Sequence, residues 1–248
     1  MRRVFILLIG ILIITQTAPL RVAAAPECLE RDLAVTVQIH DYEHLAGDRL
    51  SRASEIVSRL YAKIGVRIEW LGVLQQDTRR VRSTIDEKAP RVPIAQLTVI
   101  VLTPKMAARG RVPDGILGYA AVPPEGGMGR IAYVIYDRVR QIAAEARTNE
   151  IDLLAFVIAH ETGHLLLGRG SRSATGVMKC LWDRRKIQQL DTLKLGFSEL
   201  QAFRIRDTLK NASTNAVLMA MAASTSGGAC VQPLQADHVE PEGTILDH

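Results

Sequence analysis

Apolar and polar residues alternate from Leu33 through Val35 and Val37 to Ile39, with Ala34, Thr36 and Gln38 between them. A period of two predicts a half-buried strand. The spacing then becomes helical at Leu50, Ala53, Ile56, Val57, Leu60 and Ile64, and Gly65 ends it. Val66, Ile68 and Trp70 return to alternation around Arg67 and Glu69. Residues 75–92 are polar and charged and read as a surface excursion. Residues 96–102 form a continuous apolar run, the pattern of a strand covered on both faces and central in its sheet. Pro104 stops it, and residues 105–115 read as a loop with a turn at Pro113-Asp114-Gly115. Short strands are expected at 116–122 and 131–136.

Helical patterns follow at 138–147 and 150–168. After them come a loop carrying Met178 and a C-terminal helical part near 184–210. In that part the helix 198–209 is expected to bury Leu200, Phe203, Ile205 and Leu209. From Asn211 the chain is rich in Ala, Ser, Thr and Gly and then acidic. That composition predicts a disordered tail over 211–248, with 217–222 as its one helical candidate. Strands followed by helices in this order define an α+β fold, a mixed sheet packed on the helix at 150–168.

That helix carries the chemistry. It contains His160-Glu161-Thr162-Gly163-His164. Residues four apart on a helix are separated by about 40° around the axis, so both imidazoles leave one face and can grip a single Zn²⁺. Glu161, beside the first histidine, is the candidate general base that polarises a zinc-bound water. Apolar residues at Leu153, Leu154, Val157, Ile158 and Leu165 would bury the rest of the helix. Asn149, with Asp152 three residues on, is the candidate N-cap, and Gly168 the C-terminal stop.

The chain ends refine the picture. Met1-Arg2-Arg3, the apolar run from Val4 to Ile14 and Ala23-Ala24-Ala25 make residues 1–25 a signal peptide, cut after Ala24 or Ala25. Eleven apolar residues are too few for a comfortable membrane span. The expected product is secreted or periplasmic, with no stable membrane anchor. The formal charge of +5 includes Arg2, Arg3 and Arg21; without residues 1–25, 28 basic residues face 26 acidic ones. So small an excess gives no reason to expect nucleic acid. The domain is placed at 26–210. Cys28, Cys180 and Cys230 allow one disulfide in an oxidising compartment, and the sequence does not choose the pair.

The motif, Gly168, and Thr175-Gly176-Val177-Met178 as a candidate Met-turn together resemble the zincin metallopeptidases, and among them the metzincin-like branch. The chain is also similar to a group of small secreted bacterial proteins of unassigned function with a His in a Ser-His-Ser step after the helix. The resemblance implies that peptide substrate adds, antiparallel, to the strand at 116–122 as a sheet edge above the cleft. It implies a third histidine ligand too. The metzincin spacing puts that ligand at Gly170, and the second group puts it at Arg172, within Ser171-Arg172-Ser173. Arginine cannot ligate zinc. Asp183 is the acidic candidate, near the separation at which some zincins place a glutamate, although a surface salt bridge is its more ordinary role. Tyr119 could reach the cleft from the edge strand, though a half-buried strand tyrosine is the more ordinary reading.

These readings lead to a secreted zinc-dependent peptidase acting on peptides or proteins, with His160 and His164 as ligands and Glu161 as general base. The alternative is a catalytically weak or inactive binding protein on the peptidase fold, because the third ligand is missing.

Overall fold

The computed structural model describes residues 33–72, 94–179, 183–225 and 241–245. The expected signal peptide at 1–25, the expected excursion at 75–92 and all three cysteines lie outside the described residues.

The elements are β1 (Leu33–Asp41), α1 (Gly47–Ala62), β2 (Val66–Leu71), β3 (Ala95–Leu102), α2 (Pro104–Arg109), β4 (Ile116–Ala121), β5 (Ile131–Ile135), α3 (Tyr136–Ala146), α4 (Glu150–Leu167), α5 (Arg184–Gln188), α6 (Glu199–Thr225) and β6 (Pro241–Ile245). One mixed sheet has the order β2-β1-β3-β5-β4-β6. The first four strands of that order run parallel; β4 is antiparallel to β5, and β6 is antiparallel to β4. The fold is α+β, as the sequence pattern required. The uninterrupted apolar run became β3, which lies between β1 and β5 and buries Leu97, Val99 and Val101.

Helix α4 is the hub of the core. Every residue from Leu153 to Leu167 is buried. A helix enclosed on all sides must be apolar around its whole circumference, which the segment Leu-Leu-Ala-Phe-Val-Ile-Ala supplies. Each fully buried Leu, Ile or Phe contributes about 1.5–3 kcal/mol relative to exposure. Asn149 caps the helix, its side-chain oxygen accepting from the N–H groups of Ile151 (2.8 Å) and Asp152 (3.2 Å). Gly168 ends it with φ +75°, a value that favours glycine. Helix α1 is pinned to α4 by Tyr61, whose hydroxyl lies 3.2 Å from the Ala159 carbonyl oxygen and 2.9 Å from Thr162 Oγ1.

Four expectations are corrected. Residues 104–109 are the short helix α2, not loop: Thr103 caps it by accepting from the Met106 N–H, and Pro104 takes the first turn, where a missing N–H costs nothing. Leu200 and Phe203 are 67% and 60% exposed, because the buried face of α6 runs through Ala202, Ile205 and Leu209 instead. Helix α6 does not stop near 210 but continues to Thr225, so the tail expected from 211 begins as helix. Strand β4 is not the sheet edge, because β6 from the same tail lies outside it.

Candidate metal centre

His160, Glu161 and His164 of α4 are each fully enclosed. The two imidazoles meet edge to face, with ring centroids 4.7 Å apart and planes at 78°. Their Nε2 atoms are 3.0 Å apart. Two nitrogens bound to one tetrahedral zinc at about 2.0–2.1 Å would be about 3.3 Å apart, close to this separation.

The opposite ring nitrogens are both held. His160 Nδ1 lies 2.7 Å from the Val177 carbonyl oxygen. A carbonyl only accepts, so this nitrogen carries the proton and Nε2 presents its lone pair. His164 Nδ1 lies 2.7 Å from Ser171 Oγ, a hydroxyl that can donate or accept. The serine can therefore follow whichever tautomer His164 adopts. Such outer partners fix ring orientation in metal sites. The donor set and its geometry fit zinc through these two nitrogens. Among the described residues no third His, Cys, Asp or Glu joins them in a cluster.

The loop after α4 supplies both partners and is itself fixed. The Ser173 N–H donates to the Met178 carbonyl (2.7 Å) and the Val177 N–H to the Gly196 carbonyl (3.0 Å). Gly176 has φ +75°, and a Cβ there would sit 2.5 Å from the Gly196 carbonyl oxygen, so only glycine fits. Met178 is fully buried against Gly163 of α4. A Cβ on Gly163 would overlap Met178 Sδ and lie 3.2 Å from Phe197 Cε1. Gly163→Ala is therefore expected to destabilise the protein by about 1–3 kcal/mol through overpacking beneath the histidines. Denaturant unfolding checks this, and an unchanged midpoint would refute the packing.

Strand β4 lies directly on the site. A Cβ at Gly118 would be 2.9 Å from Glu161 Cγ, 2.8 Å from Val157 Cγ1 and 2.8 Å from the Tyr133 carbonyl oxygen. Arg138 of α3 fixes the entry to β4 by donating to the carbonyls of Ile116 (3.0 Å) and Val112 (3.1 Å). Because Gly118 faces α4, Tyr119 points to the other face of the sheet. There it stacks on Tyr133 with centroids 4.6 Å apart, and burial pushes its hydroxyl up to about 12. Tyr119 is thus the half-buried strand tyrosine of the ordinary reading and does not reach the histidines.

Asp183 does not join them either. It caps α5, accepting from the Lys186 N–H (2.8 Å) and pairing with Lys186 Nζ (2.7 Å). It borders a separate cleft of about 840 Å³ between α3, α5 and the start of β4, away from the motif. A capping role was legible in Asp183 preceding a helical Arg184-Arg185-Lys186 start. The contact of Ser171 with His164 was not anticipated, and the signal for it is a hydroxyl placed just past the Gly168 and Gly170 turn.

Burial lowers both imidazoles, His160 to about 4 and His164 to about 3; the neighbouring imidazole lowers His164 further, and the Arg172 charge lowers both. Their unfolded value is about 6.5. Between the folded and unfolded values the unfolded chain binds more protons, so stability falls as the pH falls. The metal-free protein is expected to lose up to about 1.4 kcal/mol per pH unit per histidine as pH drops from about 6.5 toward 4. Replacing both histidines with glutamine should flatten that dependence in denaturant titrations at pH 7 and 5. An equally steep loss in the double variant would contradict the assignment.

No protein-family model matches the chain, and no curated protein does. Among solved structures it is similar to a zinc-dependent peptidase from Methanocorpusculum labreanum, at 16% identity and a TM-score of 0.40 over 69% of this chain and 99% of that one. It is similar also to archaemetzincin from Methanopyrus kandleri, at 14% identity and a TM-score of 0.35 over 72% of this chain and 96% of that one. No helix among the described residues is long and apolar enough to cross a membrane.

Proposed function

We propose that the chain is a zinc-dependent peptidase exported by its first 25 residues. The observation that carries the reading is the pair of Nε2 atoms 3.0 Å apart, on a helix whose Glu161 is buried against Gly118 of β4. His160 and His164 would hold the metal through those nitrogens. Bound zinc would supply an acidified water and a Lewis acid for a scissile carbonyl. Glu161 would take the proton from that water and hand it to the leaving amine. The backbone of β4, one residue layer above Glu161, would align an extended peptide by main-chain hydrogen bonds. The binding-only alternative is less favoured because metal binding alone has no use for a general base next to the first histidine in the sequence.

The test is hydrolysis of a broad peptide library by the mature chain. Activity should disappear with a chelator and return with added zinc. Activity that survives complete metal removal would overturn the proposal.

A further inference from the structure

Strand β6 gives the outer edge of β4 an occupant. The tail residues Pro241–Ile245 pair antiparallel with β4, matching Ala121 to Pro241, Ala120 to Glu242, Tyr119 to Gly243 and Ile116 to Ile245. Between the last two pairs the register shifts, and β4 carries one extra residue. The stretch from Gly243 to Ile245 thus lies opposite the part of β4 that holds Gly118, whose backbone rests on Glu161. This is the place, and the direction, in which an added peptide strand would pair with β4.

We propose that β6 is a self-supplied occupant of a peptide-binding edge: the chain's own C-terminal strand holds the groove beside Glu161 and competes with peptides from outside. This rests on the peptidase reading for its consequence, although the competition itself is a binding property. Fifteen residues, 226–240, link α6 to β6. A covalent tether of that length places the strand at an effective local concentration on the order of millimolar. An external peptide with similar edge contacts is outcompeted until it approaches that level. Only main-chain pairing is needed, so the strand can leave without dismantling the sheet: β6 is the outermost strand and β4 keeps β5 on its other side.

The test uses the full mature chain, kept free of metal so that nothing is cleaved. The probe is a fluorescent synthetic peptide of residues 239–248. Proline cannot donate to a ladder, so Glu242→Pro with Thr244→Pro removes two backbone donors from β6 and leaves the other five strands unaltered. The variant should bind the probe at least tenfold more tightly than the wild type by fluorescence anisotropy. Hydrogen exchange supplies a second reading: outward amides of β4 should lose protection in the variant and regain it with the peptide. Equal affinity in the two chains, or no binding by either, would overturn the proposal. If the peptide behaves as expected but neither chain hydrolyses any peptide with zinc, the peptidase reading falls and the self-filled edge stands. If both zinc-loaded chains hydrolyse peptides at one rate and bind the probe equally, the reverse holds.

Discussion

Glu161→Gln should retain zinc and lose hydrolysis, with kcat falling about 10²- to 10⁴-fold, the usual contribution of a positioned general base. The amide has the size and shape of the carboxylate, so packing under Gly118 is kept; what it lacks is a site that accepts and returns a proton. Glu161 is wholly enclosed and adjacent in sequence to His160, so a change of shape there would disturb the imidazoles, and glutamine avoids that confusion. The informative comparison is kcat against zinc content in the same preparation. Full activity in Glu161→Gln would remove Glu161 from the chemistry. Loss of zinc along with activity would mean that its role is structural.

Arg172→His is expected to raise zinc affinity by about 10- to 100-fold, the range by which residues around metal ligands shift affinity. Arg172 directly follows Ser171, whose hydroxyl meets His164, and its charge is felt by both imidazoles, lowering their affinity for a proton. A field that opposes one positive charge opposes a dication about twice as strongly. Histidine removes that charge at neutral pH and adds a neutral nitrogen donor next to the serine. Arg172→Gln separates the two effects, because it removes charge without supplying a donor and should give a smaller gain. Competition against a chromophoric chelator measures all three chains. Unchanged affinity in both variants would show that the guanidinium does not act on the bound metal. The sequence-level rival, completion of the site by Asp183, has no support in a side chain already committed to capping α5.

The metal helix was legible because several local signals agree over eighteen residues: an asparagine cap, apolar residues on every face, two histidines four apart and a terminal glycine. Strands β1 and β2 were legible from alternation, and β3 from the unbroken apolar run that placed it centrally in the sheet. What escaped was decided by neighbours far along the chain. Ile205 and Leu209 were placed in the core correctly, but the helical spacing around them admits Leu200 and Phe203 as well as Ala202, and only packing against distant elements buries Ala202 and leaves the other two exposed. Thr103-Pro104 was read as the end of a strand, though the same pair also starts a helix. Strand β6 contains Pro241 and Gly243, carries no alternating pattern, and pairs with residues 120 or more positions earlier. No local rule finds such a strand. The site itself was read as two ligands and a base, and the structure buries all three and places the two Nε2 atoms 3.0 Å apart. Ser171 and the Val177 carbonyl, which orient the rings, come from a loop whose path depends on Gly176 fitting against Gly196.

The central claim is that His160 and His164 form one zinc site, and calorimetric titration of zinc into the metal-stripped mature chain tests it most directly. The expected result is one zinc per wild-type chain, with binding abolished in His160→Ala and in His164→Ala. No zinc binding by the wild type, or binding that survives both substitutions unaltered, would contradict it.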